Sequence, residues 1–276
     1  MTAATTSAVR VTARRQSVTW PFAAGALIGI LGGLIGLGGA EFRLPLLMAL
    51  FGFAALQAVI LNKAMSLVVV IAALPARAFA VPWDDVAGHW WIVVNLLAGS
   101  LVGAWAAAGW ATRMHSRTLH RVLALLLVAI ALVLAGTHYA QLGSLDLPPA
   151  ARVIAGVIAG VLIGMVAAFM GVAGGELLIP TIVLLFGADI RLAGSLSLLV
   201  SLPTMLVAFT RYSRDGGFTV LRPNLRFVAL MGAGSVAGAV AGGVLLQYVA
   251  GPALIGALAL ILLVSATKVW RHSDDT

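Results

Sequence analysis

The 276-residue sequence contains no cysteine and very little charge. Without cysteine there is no disulfide, no thiolate metal site and no cysteine nucleophile. Charged residues form 9% of the chain, against about a quarter in a soluble globular domain. Other signatures are missing too. There is no Walker-type loop and no His-Glu zinc motif, and no polar stretch is long enough to build a soluble ATPase domain. The five histidines (His89, His115, His120, His138 and His272) are scattered and read as loop and interface residues. No Gly-x-Ser-Gly tetrapeptide of the intramembrane-protease kind occurs. Enzymatic activity, a resident cofactor and a dedicated metal-ligand set are therefore not expected. The net charge is +8, but no basic patch is interleaved with aromatics in the manner of a nucleic-acid groove.

What the chain does have is apolar surface. Hydrophobic residues make up 62% of it, the mean hydropathy is +1.09, and runs such as Leu123–Ala135 and Ala253–Ala266 carry no charge. Lipid is the expected solvent, and the expected fold is an all-α integral membrane protein. Residues 1–17, with Arg10, Arg14 and Arg15, read as a basic cytoplasmic tail. They resemble the start of a signal peptide, but the apolar segment that follows is matched later in the chain and reads as retained.

That match is an internal repeat. At an offset of 135 residues, Gly25 falls on Gly160, Gly29 on Gly164, Glu41 on Glu176, Pro45 on Pro180, Ser66 on Ser201 and Gly103 on Gly238. A glutamate and a proline matched inside apolar sequence are not products of composition. The membrane repeats are placed at residues 18–140 and 150–271. Each starts with a glycine-interrupted stretch: Trp20–Leu37 then Leu44–Phe53, and Val153–Val172 then Leu177–Ala188. Three continuous apolar helices are predicted in each: 54–80, 90–112 and 119–139, then 189–211, 224–247 and 252–270. That makes eight hydrophobic segments. About 20 residues at ~1.5 Å each cross a hydrocarbon core of ~30 Å, so the six continuous helices can span, whereas the second arms of the interrupted stretches are too short.

Arginines mark the N-terminus, the loop with Arg113, Arg117 and Arg121, and the loop with Arg211, Arg214, Arg222 and Arg226; Lys268 and Arg271 follow the last helix. If all four segments are cytoplasmic, each broken hairpin is re-entrant and the halves are inverted, with both termini in the cytoplasm. The alternative makes each hairpin two full crossings and the halves parallel. The sequence is compatible with a homo-oligomer as with a monomer.

The breaks read Gly36-Leu-Gly38-Gly39-Ala-Glu41-Phe-Arg43-Leu-Pro45 and Gly171-Val-Ala-Gly174-Gly175-Glu176-Leu-Leu-Ile-Pro180. Glycines weaken a helix, and proline is harmless in a first turn, so Gly36, Pro45, Gly171 and Pro180 are expected to end one helix and begin another. Such a break must be buried or line a wet cavity, and a helix starting there turns its N–H groups toward an anion. Gly99-x-x-x-Gly103 and Gly234-x-x-x-Gly238 are expected only to pack helices. Glu41 and Glu176 each have three uses: capping the new helix, carrying a coupling proton, or coordinating a cation. Lys63, expected near mid-membrane, either neutralises a glutamate or binds substrate; its counterpart is Leu198, and that of Arg43 is Leu178. Ser66, Ser201, Ser195 and Ser197 add hydroxyls on the helices after the breaks. The candidate substrate-binding set is thus Gly38, Gly39, Glu41, Arg43, Lys63, Ser66, Gly174, Gly175, Glu176, Ser195, Ser197 and Ser201.

Gly32-Gly-Leu-Ile-Gly36-Leu-Gly-Gly39 with Pro45, and Gly171-Val-Ala-Gly-Gly175-Glu with Pro180, resemble the paired glycine-rich signatures of the sulfite exporter TauE/SafE permeases. Ala193-Gly-Ser-Leu-Ser197 is similar to the family's Ala-x-Gly-Thr-Ser element. The resemblance covers about residues 20–270. It implies an inner-membrane permease with inverted repeats, acting on small anions such as sulfite or sulfonates. Ala40 and the two glutamates depart from the family's commoner triple-glycine pattern. A cation transporter using Glu41 and Glu176 is the alternative.

Overall fold

The computed structural model describes residues 19–35, 39–80, 83–139, 147–214 and 218–245, with positions 263, 264, 266, 267 and 269. Every regular element among these residues is helical, which is how a backbone satisfies its own polar groups away from water. The first half contains α1 (Thr19–Ile35), α2 (Ala40–Ala49), α3 (Ala55–Ala80), α4 (Trp83–Gly88), α5 (Trp90–Ala111) and α6 (Ser116–Tyr139). The second contains α7 (Pro149–Met170), α8 (Gly175–Phe186), α9 (Ile190–Arg214), α10 (Phe218–Leu221) and, after a 3-10 turn at Arg222–Asn224, α11 (Leu225–Leu245). Shifted by the repeat offset, α1 lies on α7, α2 on α8, α3 on α9, α4 on α10 with its 3-10 turn, and α5 on α11. The helix predicted at 252–270 lies outside the described residues, apart from helical positions between Leu263 and Val269.

Five helical stretches among the described residues are long and apolar enough to cross a membrane: Ala55–Ala73, Trp90–Ala111, Pro149–Met170, Arg191–Arg214 and Thr219–Gly242. Their outward faces stay apolar, with Val102, Leu162 and Val240 exposed. On α5, exposed Trp90 and Trp110 stand twenty residues apart. At ~1.5 Å per residue that is about 30 Å, the thickness over which aromatic belts flank a hydrocarbon core.

The halves are joined by reciprocal exchange of helices: α1 packs along α11, and its counterpart α7 along α5. Glycine makes both contacts possible. A Cβ at Gly29 would collide with the Ser235 carbonyl, and one at its counterpart Gly164 with the Ser100 carbonyl. Gly238 meets the Ala26 carbonyl, and its counterpart Gly103 that of Val161. The same backbone-to-backbone approach is thus built twice, and Gly99-x-x-x-Gly103 and Gly234-x-x-x-Gly238 serve the packing role expected of them.

The short arms differ from expectation at their starts. They were placed at Leu44 and Leu177, but α2 begins at Ala40 and α8 at Gly175. Pro45 and Pro180 consequently stand sixth in their helices instead of in the first turn. The helices start earlier because Gly39 (φ 69°) and Gly174 (φ 83°) adopt the left-handed conformation immediately before them. An L side chain resists that conformation by about 1–2 kcal/mol. The turn expected at Pro82–Asp85 is, from Trp83, the short helix α4, whose first turn holds Asp84 and Asp85, where acidic side chains favour the helix dipole.

Candidate functional site

The second break is built around Gly171. Its φ of 68° ends α7, its N–H donates to the Ala168 carbonyl (3.3 Å), and the Val172 N–H donates to Ala167 (3.2 Å). That is a Schellman cap. A Cβ at Gly171 would also strike the Val59 carbonyl of α3, so both conformation and space require glycine. Gly36 and Gly38, at the equivalent break, lie outside the described residues.

The carbonyls at the end of α7 are received by side chains from two other helices. Lys63 Nζ donates to Ala167 O (2.6 Å) and Val172 O (3.0 Å). Asn62 Nδ2 donates to Met170 O (2.9 Å) and to Ala40 O (3.0 Å), tying the two breaks together. Tyr212 on α9 donates its hydroxyl to Ala168 O (3.0 Å). An ammonium at a helix C-terminus faces the negative end of the dipole. Lys63 therefore bonds neither glutamate: it closes the broken end of α7. We expect Lys63→Met to remove the donor to the buried Val172 carbonyl, whereas the Ala167 carbonyl keeps the Val172 N–H. At about 1–3 kcal/mol for an orphaned buried group, partly offset by removing a buried charge, the loss should be about 2 kcal/mol, read as earlier unfolding in detergent.

Arg43 is fully buried and bonds only neutral acceptors. Nε donates to Asn62 Oδ1 (2.7 Å), one terminal nitrogen to Ser235 Oγ (3.1 Å), and the other to Ser66 Oγ (2.6 Å) and Asn62 O (3.5 Å). The guanidinium thus joins α2 to α3 and, across the halves, to α11. At the equivalent place in the second half stands Leu178, also buried, and Ser201 Oγ has no hydrogen-bond partner. Ser100, counterpart of Ser235, shares a hydrogen bond with Thr204 instead (2.8 Å).

Glu41 and Glu176 occupy the first turns of α2 and α8 and are 1% and 6% exposed, so neither carboxyl faces lipid. Both lie where a negative charge favours a helix N-terminus. Their carboxyl groups are immediate neighbours, with Arg43 near Glu41. Glu41 Oε2 and both carboxyl oxygens of Glu176 lack a hydrogen-bond partner. Pro45 and Pro180, each four residues on, have no N–H to give the Glu41 and Glu176 carbonyls.

Of the sequence-derived set, the structure brings together Glu41, Arg43, Lys63, Ser66 and Glu176, with Gly39 and Gly174 opening the two short helices. Gly175 is the first residue of α8. Ser195 and Ser197 bond back to their own helix, at Arg191 O (3.4 Å) and Gly194 O (2.8 Å), as isolated membrane serines often do. Sequence reasoning assigned no role to Asn62, Tyr212 or Ser235. An asparagine inside an apolar helix was the one available signal among them.

Helices able to span a membrane, arranged in duplicate around buried polar groups at helix breaks, are the build of a polytopic membrane transporter. The family model for the sulfite exporter TauE/SafE matches residues 2–134 and 156–275, nearly the whole chain. This chain belongs to that family, one of multi-pass membrane permeases. No curated protein and no solved structure matches it.

Proposed function

We propose that this protein is a secondary permease for a small anion of the sulfite or sulfonate kind, bound at the meeting point of the two broken segments. One observation carries the reading. Arg43 and Lys63, both fully buried, donate only to neutral acceptors, so their positive charge is available to an anion. The N-termini of α2 and α8 add their dipoles. The groups are sealed from solvent in this conformation, so the anion enters through a rearrangement, as alternating access requires.

The repeats, 18–140 and 150–271, are inverted in this reading, and both termini are cytoplasmic. Contacts at the end of α7 support it: that end meets the beginning of α3, through Asn62 and Lys63, and the last turn of α9, through Tyr212. Equivalent helices of the two halves thus arrive there from opposite ends. The Trp105 ring near the end of α5 carries Arg211 and Arg214 of α9, 5.0 and 5.3 Å from its centroid. The arginine-rich loops after α5 and α9 therefore share one side, which the positive-inside rule makes cytoplasmic.

The test is uptake of labelled sulfite, sulfonates and small carboxylates into proteoliposomes holding the full chain. Saturable flux of at least one anion is expected. Flux no greater than in empty liposomes for all of them sinks the reading. The unpartnered carboxyl oxygens favour a second reading, a cation held by Glu41 and Glu176. Among the described residues no group of three or more His, Cys, Asp or Glu side chains is placed to hold a metal. Stabilisation by a divalent metal that vanishes in Glu41→Gln is the result that selects it.

A further inference from the structure

Glu41 and Glu176 are the only glutamates in the sequence. They come from opposite halves, stand at the same position of two equivalent helices, and meet with their carboxyl groups adjacent. An ionised carboxylate only accepts hydrogen bonds. Two of them side by side, away from water and with unpartnered oxygens, have nothing to give each other. Their like charges repel at low dielectric. A single proton removes both difficulties, because one carboxyl then donates to the other in a short, charge-assisted bond.

We propose that Glu41 and Glu176 hold one proton between them. The tips of the two broken helices are then bridged by a carboxyl–carboxylate hydrogen bond that opens, and releases its proton to water, during the transport cycle.

The surroundings fit one proton. Arg43 on α2 lies beside Glu41; Lys63 on α3 is engaged with the Ala167 and Val172 carbonyls, and Tyr212 on α9 with the Ala168 carbonyl. Among the described residues, α1, α3, α6, α7 and α9 bring no further carboxyl to it. Among its described residues α1 carries no charged side chain; α7 has only Arg152, in its first turn; α6 has Arg117, His120 and Arg121 in its first two turns; and α9 has Arg191, Arg211 and Arg214 at its ends. With one proton on the pair, Arg43 meets a single negative charge; when the proton leaves it meets two, and an anion bound beside it loses its counter-charge. Proton and anion therefore bind together and travel in the same direction.

This use of the proton rests on the permease reading, whereas the shared proton itself does not, and two measurements separate them. In the full chain with 13C-labelled glutamate carboxyls, reconstituted in lipid, infrared spectra report these two side chains alone. A label-shifted protonated-carboxyl band is expected in the wild type and lost in both Glu41→Gln and Glu176→Gln, where the amide supplies the bridging N–H. A wild type with only carboxylate bands, or a protonated band persisting in both variants, overturns the proposal. If one variant fails to fold, the other gives the same reading. In proteoliposomes, a proton gradient is expected to raise wild-type anion accumulation above exchange, and this advantage disappears in either variant. Gradient-driven accumulation retained in both variants overturns the coupling while leaving the permease standing. A band present in a wild type that moves no anion refutes the permease reading and the coupling while the shared proton stands.

Discussion

Gly29→Leu is expected to separate α1 from α11 and leave a chain that is not recovered folded from the membrane. The Cβ at this position would lie inside the Ser235 carbonyl, against the Ala239 nitrogen as well. Neither is the end of a flexible side chain, so the helix axes themselves must move apart. Overpacking a core costs about 1–3 kcal/mol where side chains can yield. Here they cannot, and moving α11 also withdraws Ser235 from Arg43 (3.1 Å). The expected loss is therefore at or beyond about 3 kcal/mol, the top of that range. Gly164→Leu, which meets the Ser100 carbonyl at the equivalent contact, should do the same. Gly52→Ala is the control: its φ is 71° but nothing lies within 4 Å of an added Cβ, so only the left-handed backbone is strained, by about 1–2 kcal/mol. Recovery of folded protein by size-exclusion chromatography in detergent, followed by thermal unfolding, ranks the three. A Gly29→Leu protein as stable as Gly52→Ala contradicts the close α1–α11 approach.

The repeat offset, the approximate extents of the long described helices and the packing role of the small-residue motifs are legible in the sequence, because glycine spacing and apolar length follow directly from backbone geometry. Glu41 and Glu176 stand out in the sequence by their matched positions at the two breaks. The partners of the cations are not legible. Lys63 was expected to bond a carboxylate or a substrate and instead bonds the carbonyls of Ala167 and Val172. Backbone carbonyls exist at every residue and leave no trace in composition. Arg43 reaches Ser235, 192 positions away, through a helix exchange that no local pattern encodes. The starts of α2 and α8 were misjudged for a smaller reason. Proline suits a first turn, but here the helix starts are set by the left-handed glycines Gly39 and Gly174 before them.

The repeat also supplies the sharpest test of Arg43. Leu178, its counterpart, is buried at the equivalent position, so the architecture accepts a leucine there. Arg43→Leu removes one buried charge and several charge-assisted hydrogen bonds together. Orphaning Asn62 Oδ1 costs about 1–3 kcal/mol, while abolishing the desolvation of a buried guanidinium returns a similar amount. The net change in stability should therefore stay within about 2 kcal/mol of zero, far smaller than for Gly29→Leu. Function should not survive, because the centre loses the cation that cannot be deprotonated. Anion flux should fall to the level of empty liposomes, and the anion-dependent rise in melting temperature, which measures ligand concentration against its dissociation constant, should vanish. Arg43→Lys should not restore either property. A point-charge ammonium cannot span Asn62, Ser66 and Ser235 as the planar fork does. A leucine variant that folds and still transports at the wild-type rate would reduce Arg43 to a cross-tie between α2, α3 and α11, and would leave Lys63 as the single cation able to meet an anion.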